Sequence, residues 1–481
     1  MSAHDLILLL PVILIAATAI LLMLIVAIKR SHQLTFAVSL VGIAISFVSL
    51  WPASEGSPRA VSALLLVDQF ALFYMGLLLA STAAILLYSY NYLDAQQEHK
   101  EEFYMLVLLA TTGGMVLVAS SHFVSFFLGL EILSIALYGL VAYLRTGSRP
   151  LEAGMKYLVL ASSSGAFLLF GMALIYGETG SLEFGRISSV FRSQATTNSG
   201  LLLAGATLMM TGIGFKLALV PFHLWTPDVY QGAPLPVTAL VATVSKASVF
   251  ALLLRWLHPF SSAGSSLWIV LAVSAVASML AGNLLALFQG NIKRILAYSS
   301  IAHMGYFFVA ILAGGTLGFE AATYYLIAYL VTITGAFAVL TVSSSEGSEN
   351  CDIADFKGLF WRRPLLAAVF TAMLLSLAGI PLTAGFLGKF YVLTAGVSSE
   401  SWGLVFVLIV SSVIGLFYYL RIVVALYSPA LEDARSTRRT PTPVPATLSL
   451  TALAVALFCF GVYPSLLWRA VALAVGSLNR L

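Results

Sequence analysis

Long apolar runs separated by short polar loops make up almost the whole chain. Most of the runs reach the roughly 18 to 20 residues that a helix needs to cross a bilayer. A membrane β-barrel would instead show short alternating segments. The pattern predicts fourteen transmembrane helices, called segments 1 to 14, at residues 6–28, 34–51, 70–90, 104–120, 122–144, 154–176, 201–230, 236–257, 267–288, 294–314, 319–343, 364–395, 402–428 and 446–467. The sequence therefore predicts an all-α polytopic membrane protein in which residues 1–481 form a single membrane domain.

Segments 7 and 12 are interrupted by proline and glycine, with Pro221 in the first and Pro381 in the second. An interrupted transmembrane helix is tolerated only where its freed backbone groups are buried in protein or line a wet cavity. If segments 4–8 and 9–13 are two units of five, each has its broken helix in fourth place. Because five is odd, the units enter the membrane from opposite sides, so we expect inverted repeats. The predicted divisions are three N-terminal helices in residues 1–100, a first repeat at 104–257, a second repeat at 267–428 and a last helix at 446–467.

The composition supports this class and excludes several others. Hydrophobic residues make up 60% of the chain and charged residues only 9%, against about 25% charged in a soluble domain. The net charge of +4 is too small to indicate a nucleic-acid partner. Cys351 and Cys459 lie far apart and fit no metal-ligand pattern, so we expect no metal site. Since phosphate-binding glycine loops, dinucleotide fingerprints and haem or iron–sulfur motifs are also missing from the sequence, we expect no cofactor in this chain.

Lysine and arginine are distributed unequally between the two sets of loops. One set contains fifteen, namely Lys29, Arg30, Lys100, Arg145, Arg149, Lys156, Lys293, Arg294, Lys357, Arg362, Arg363, Arg421, Arg435, Arg438 and Arg439. The opposite set contains six, namely Arg59, Arg186, Arg192, Arg255, Arg469 and Arg480. Because cytoplasmic loops carry the excess of basic residues, the first set is predicted to be cytoplasmic. An even number of spans then puts both termini outside the cytoplasm.

The three remaining basic residues, Lys216, Lys246 and Lys389, all lie inside predicted spans. A charge at the centre of a membrane helix costs roughly 2.5–3.5 kcal/mol on insertion scales, so such residues indicate a functional site. Glu131, near the middle of segment 5, is the matching carboxylate, and Lys216 in the same repeat is its most economical partner. The pair is either a structural ion pair or a switchable pair in a proton path. The second interpretation is favoured because lysine, unlike arginine, loses its proton readily on burial.

Three further residues have open roles. His223 lies just after the break in segment 7, and His303 lies in the stretch YSSIAHMGY of segment 10. Each is either an ordinary hydrogen-bonded core histidine or a proton relay between the lysines, since histidine titrates near neutral pH. Asp228, in WTPDVY near the predicted cytoplasmic end of segment 7, either caps a helix or lies where protons are taken up.

Several long motifs resemble those of the antiporter-like membrane subunits of respiratory complex I. They are GFKLALVPFHLWTPDVYQGAPLPV, GNIKRILAYSSIAHMGY and MLLSLAGIPLTAGFLGKFYVL, and Glu131 in LGLEILS matches the family's glutamate in its fifth helix. The resemblance covers nearly the whole chain. Within the family, the middle-sized subunit bears a glutamate where this chain has Lys389, and the largest carries a long amphipathic helix that this chain lacks. These two differences set aside the middle-sized and the largest antiporter-like subunits, and we therefore expect similarity to the one that remains.

The resemblance implies a non-redox subunit of a proton-translocating bacterial NADH:quinone oxidoreductase. NADH and quinone would bind to other subunits, and a proton from the cytoplasm would pass from the Glu131–Lys216 pair to Lys246 and Lys389. The implied partners are the lipid bilayer and other membrane-arm subunits, including a second antiporter-like subunit and small membrane subunits. The implied location is the bacterial inner membrane, with multiple passes and both termini periplasmic.

Two other interpretations remain open. The family is related to subunits of multi-subunit sodium/proton antiporters, so the chain could be part of a cation/proton exchanger that has no redox partner. A structural scaffold is the third, and it fits poorly with three lysines buried at such cost.

Overall fold

The computed structural model describes residues 3–95, 99–144, 148–193, 200–258, 266–344, 349, 351–429 and 443–478. Five residues that contribute to the predicted charge bias lie outside these ranges, namely Arg145, Arg435, Arg438, Arg439 and Arg480. The side chain of Arg192 is likewise outside the described part.

The N-terminal region forms a small helical layer with one hairpin. Its elements are α1 (Ala3–Ile28), α2 (His32–Val48), α3 (Leu50–Glu55), β1 (Arg59–Val61), β2 (Leu65–Val67) and α4 (Gln69–Asp94). The two strands pair antiparallel, and Leu65 also bridges Ser120 in the loop after the next helix. Asp68 caps α4 by accepting a hydrogen bond from the backbone N–H of Ala71 at 2.7 Å, which satisfies a donor that the helix leaves free.

The first repeat follows as a bundle in which one long helix is broken. Its elements are α5 (Glu101–Val118), α6 (Phe123–Val141), α7 (Ser148–Thr179), the short α8 (Phe184–Ser193), α9 (Gly200–Leu217), α10 (Trp225–Gly232), α11 (Leu235–Leu240), a π-helical turn (Val241–Ser245) and α12 (Lys246–Leu257). The helices α9 and α10 are the two halves of the broken helix.

The second repeat has the same plan. Its elements are α13 (Ser266–Leu287), α14 (Ile292–Ala313), α15 (Gly315–Ser343), a 3₁₀ turn (Ile353–Phe356), α16 (Leu359–Arg362), α17 (Pro364–Ala378), α18 (Ala384–Ser398) and α19 (Trp402–Tyr427). Here α17 and α18 are the halves of the broken helix. Two helices close the described part of the chain, α20 (Val444–Val462) and α21 (Ser465–Leu478).

Matching helices pack in the same pairs in both repeats. In the first, α5 packs on α6 and α7 on α9; in the second, α13 packs on α14 and α15 on α17. Glycine brings both hairpins into close contact. A Cβ on Gly113 would lie 2.5 Å from the backbone N of Leu133, and one on Gly282 would lie 2.6 Å from that of Ala302. Small residues at such contacts let membrane helices pack backbone against backbone.

The predicted fold class is confirmed. In the described residues, thirteen helices are long and apolar enough to cross a membrane. Predicted segment 12 is present as α17 and α18, of 15 residues each, so neither half alone is long enough to span. The two breaks fall where proline and glycine interrupt the apolar runs.

The placement of Arg255 contradicts its predicted loop position. It lies in the last turn of α12, is 6% exposed, and donates from both terminal nitrogens to Asp68, at 2.9 and 2.8 Å. This two-pronged contact offsets part of the cost of burying an arginine, while its Nε has no hydrogen-bond partner among the described residues.

The predicted last helix, 446–467, is also corrected. The chain breaks at Pro464, and α21 then folds back onto α4 and α15. Trp468 of α21 packs on Tyr391 with ring centroids 4.2 Å apart, and the Ser477 hydroxyl accepts from the backbone N–H of Phe70. The sequence pattern missed this helix because its apolar residues continue directly from those of α20.

Candidate functional site

Lys216 lies in the last turn of α9, immediately before the first break. Its ammonium is buried and donates to the Ser134 hydroxyl of α6 at 2.6 Å and to the Tyr157 hydroxyl of α7 at 3.4 Å. The break begins at Ala218, which has a left-handed φ of 62°. Trp225 then donates from its ring nitrogen to the Phe215 carbonyl, which also accepts from the backbone N–H of Ala218. A cation at a helix C-terminus is stabilised by the negative end of the helix dipole.

Glu131 is a neighbour of Lys216 but not its direct partner. The carboxylate faces α7, where its Oε1 lies 3.6 Å from the position that a Cβ on Gly165 would take. The hydroxyl that binds Lys216 belongs to Ser134, one turn further along α6. The two charged groups therefore interact electrostatically across one helical turn, without contact. A movement that brings the two side chains together would make a direct pair.

Lys246 is the first residue of α12 and follows the π-helical turn directly. It is 1% exposed and donates to the Ser300 hydroxyl of α14 at 2.6 Å. The same hydroxyl lies 2.6 Å from the hydroxyl of Tyr329 and 3.4 Å from that of Tyr230. Single π turns inside helices occur frequently at functional sites.

Lys389 lies in α18, beyond the second break, but its ammonium reaches back across it. It donates to the carbonyl of Ala378, the last residue of α17, at 3.0 Å, and to the Ser412 hydroxyl of α19 at 2.8 Å. Gly379 has a φ of 88°, and a Cβ there would lie 3.0 Å from the Lys389 side chain, so glycine suits both the backbone and the space. Leu382 has a φ of 72°, which gives this break, like the first, a non-glycine residue in the left-handed region.

One face of α14 joins the second lysine to the third. Ser300, His303 and Tyr306 follow at intervals of three residues, so they lie on one side of the helix. Ser300 holds Lys246, and the ammonium of Lys389 lies 5.3 Å from the ring centre of Tyr306. Between them, His303 bonds through Nδ1 to the Tyr325 hydroxyl at 2.6 Å and through Nε2 to that of Tyr419 at 3.2 Å.

His223 and Asp228 lie apart from this row. The Nδ1 atom of His223 is buried in the first break without a hydrogen-bond partner, and none of the hydrogen bonds among the described residues joins it to the three lysines. Asp228 lies in the first turn of α10, where it binds Lys156 and Arg294 at 2.8 and 2.9 Å. With Arg149 and other side chains it lines a cavity of about 170 Å³ at the helix ends.

The arrangement is suited to moving protons. Each lysine is bound by a hydroxyl, which both donates and accepts, so a proton can be passed on without separating a contact ion pair. The sequence singled out the lysines and His303 but missed Ser134, Ser300 and Ser412, because serine is common in membrane helices. The available signal was the three-residue spacing of the polar side chains in YSSIAHMGY.

Sequence comparison identifies the relatives of this chain. The signature of the family described as "NADH:quinone oxidoreductase/Mrp antiporter, TM" matches residues 120–415. NADH-quinone oxidoreductase subunit N of Ectopseudomonas mendocina (strain ymp) is 48% identical over 435 residues, which covers 89% of this chain and 87% of that protein. The predicted resemblance to an antiporter-like subunit of complex I is confirmed.

Solved structures agree with this result. A chain of respiratory complex I from Thermus thermophilus with bound aureothin superposes with a TM-score of 0.83 at 33% identity, covering 96% of this chain and 99% of that one. A chain of the membrane-bound sulfane sulfur reductase, an archaeal respiratory membrane complex, gives 0.86 at 26% identity, covering 99% and 98%. A chain of the Mrp complex from Dietzia sp. DQ12-45-1b gives 0.84 at 19% identity, covering 99% and 98%, and shows a shared fold alone. The chain thus belongs to the NADH:quinone oxidoreductase/Mrp antiporter transmembrane family.

Proposed function

We propose that this chain is a proton-translocating membrane-arm subunit of a bacterial NADH:quinone oxidoreductase. The observation that carries the proposal is the row of three buried lysines, each bound to a hydroxyl and joined by one polar face of α14. The 48% identity to subunit N supports the assignment of the chain to this complex. The chain is a non-redox subunit: it binds no cofactor itself, and NADH oxidation and quinone reduction take place in other subunits.

The proton path begins at the Asp228 cluster on the cytoplasmic side. Tyr157, the residue after Lys156 on α7, carries the hydroxyl that contacts Lys216, which supports transfer from this cluster to the first lysine. A signal from neighbouring subunits moves Glu131 towards or away from Lys216 and so changes how firmly that lysine holds its proton.

Transfer continues along α14. The proton passes to Lys246, then along the face that carries Ser300 and His303 to Lys389, and leaves on the periplasmic side. His223 is a second candidate relay, in the first break. Pro221 and Pro381 contribute by keeping both helices interrupted, so that water can reach the freed backbone.

The partners are the other membrane-arm subunits, including a second antiporter-like subunit and small membrane subunits, and the lipid bilayer. The protein is a multi-pass protein of the bacterial inner membrane. We further propose that both termini are periplasmic, on the basis of the loop charges.

A cation/proton exchanger without redox partners is the second candidate, because the description of the family whose signature matches this chain also names the Mrp antiporter. Co-purification separates the two. We expect detergent-solubilised protein to bring down partners that oxidise NADH and reduce quinone. Recovery of antiporter-type membrane subunits alone, without flavin or iron–sulfur proteins, would refute the first proposal in favour of the second.

A further inference from the structure

A second charged cluster lies at the predicted cytoplasmic end of the bundle, away from Asp228. Its centre is Glu349, in the loop after α15. One carboxylate oxygen accepts from the Lys293 ammonium at 2.8 Å; the other accepts from the Tyr92 hydroxyl and from the backbone N–H of Leu235 at 3.2 Å. The cluster therefore joins α4, α11 and α14 through a single carboxylate.

The cluster is buried on one side and open on the other. Lys293 is 1% exposed, whereas the Glu349 side chain is 22% exposed. The Lys293 ammonium also donates to the Ala233 carbonyl at 2.6 Å. Cys351, close by, stays neutral because burial raises the pKa of its thiol to about 12. The Glu349 carboxylate is thus the acidic group of this cluster that reaches the surface.

The Glu349 cluster and the Asp228 cluster are bound by two neighbouring residues of α14. Lys293 binds Glu349, and the next residue, Arg294, binds Asp228. Successive side chains on a helix point about 100° apart, so the two carboxylates lie on different sides of α14. The two clusters therefore open into different parts of the bundle.

The residue of α14 that binds Glu349 and the residue that binds Lys246 lie on the same face of that helix. Lys293 and Ser300 are seven residues apart on α14, which puts them on the same face and about 10 Å apart along the axis. On α15, the buried Thr334 hydroxyl has no hydrogen-bond partner among the described residues. Phe337, one turn further along α15, packs against Tyr230, whose own hydroxyl reaches Ser300. A buried hydroxyl without a protein partner marks a site for an ordered water, and a short row of waters can bridge the gap.

We propose that Glu349, held in place by Lys293, takes up protons from the cytoplasmic side and delivers them to Lys246, independently of the Asp228 cluster. This rests on the proposed function. In the transfer, an O–H bond of a hydronium ion on the cytoplasmic side breaks, leaving water, as an O–H bond forms on the Glu349 carboxylate. This new carboxyl O–H bond then breaks as an N–H bond forms, through waters, on a Lys246 amine that has already given its proton to the row on α14.

The test compares Glu349→Gln with Glu349→Asp in the complete complex. Glutamine keeps the size and the acceptor oxygen but does not titrate; aspartate titrates but is shorter. We expect a partial loss of pumping rate with glutamine, because the Asp228 route still supplies Lys246, and substantially higher pumping with aspartate, which can still transfer a proton. The measurement is the NADH-driven pH-gradient dye signal in inverted membrane vesicles, normalised to assembled complex. Asp352→Asn is the matched control, an exposed carboxylate of the same loop at a cap position that asparagine also suits, and it should pump like the wild type.

Three outcomes would overturn the proposal: wild-type pumping in Glu349→Gln, lower pumping with aspartate than with glutamine, or failure of both variants to assemble. The second and third would make the carboxylate a packing group. Lys389→Ala is measured in parallel to keep the two proposals apart. If it pumps normally, the proposed function fails; if it is impaired while Glu349→Gln pumps normally, only the proposal about Glu349 fails.

Discussion

The two repeats differ at two matched positions in the helices that carry their polar side chains. Glu131 is the ninth residue of α6, and the ninth residue of α14 is Ser300. Three residues further along, Ser134 in the first repeat corresponds to His303 in the second. The first repeat thus has a carboxylate beside its lysine where the second has a hydroxyl and an imidazole.

Their lysines nevertheless have one setting in common. Lys216 lies in the last turn of α9, and Lys389 reaches back to the carbonyl of the last residue of α17. Both ammonium groups therefore lie at the C-terminal end of a half-helix, where the backbone dipole favours a positive charge. The difference lies in the surroundings: a movable carboxylate can alter the charge on Lys216, whereas Lys389 is bound by neutral groups. The first repeat is suited to receive a signal and the second to pass a proton on.

The largest effect is expected at Lys389, the intramembrane lysine of the second repeat. Both Lys389→Ala and Lys389→Arg should assemble and lose about tenfold or more in NADH-driven pumping, because arginine keeps the charge but does not release its proton. The measurement is the pH-gradient dye signal in inverted vesicles, normalised to assembled complex. Wild-type pumping in Lys389→Arg would show that the residue holds a charge and passes no proton. The proposed division of roles between the two repeats would then be refuted.

A double-mutant cycle tests the coupling that only the first repeat should have. Glu131→Gln and Lys216→Met should each reduce pumping, and together they should reduce it by less than the product of the single effects. The expected coupling is about 1 kcal/mol, since the groups interact without contact. The same cycle between Ser300 and Lys389, which lack such a pair of charges, is the control. Independent effects at Glu131 and Lys216 would remove the signal-receiving role from the first repeat.

A smaller effect should follow from removing the hydroxyls that bind the lysines. Ser300→Ala leaves Lys246 without the one hydroxyl that binds it among the described residues, whereas Ser134→Ala leaves Lys216 with Tyr157. A hydrogen bond to a charged group contributes about 1.5–3 kcal/mol, so pumping should fall several-fold in Ser300→Ala and less in Ser134→Ala. Initial pumping rates at matched amounts of assembled complex decide the order. Equal losses would argue that the hydroxyls have equivalent roles in the two repeats.

Local signals in the sequence were enough for the framework of the molecule. The spans follow from the length of the apolar runs, and the two breaks follow from Pro221 and Pro381. The lysines inside the spans are conspicuous because a charge in hydrocarbon is costly. These features depend on residues close together along the chain, which is why periodicity and composition predict them.

Features that depend on distant pairs were not predictable in this way. Arg255 was expected in a loop because its partner, Asp68, lies 187 residues away and gives no local signal. Glu131 and Lys216 are not in direct contact because the Lys216 ammonium binds the Ser134 hydroxyl of another helix. The buried setting of Lys293 similarly depends on Glu349, 56 residues further along. In each case the decisive contact joins helices whose relative placement the one-dimensional pattern does not contain.

The π-helical turn at Val241–Ser245 allows the two halves of one transmembrane helix to pack against different repeats. An extra residue in one turn shifts the phase of the helix, so the side chains before and after it no longer continue the same stripe. Accordingly, α11 packs chiefly against α15 of the second repeat, and α12 against α5 of the first. Lys246 is the first residue after the shift. A one-residue deletion within the turn would rotate α11 and α12 by about 100° relative to each other, so this span could keep its contacts with one repeat or with the other, but not with both.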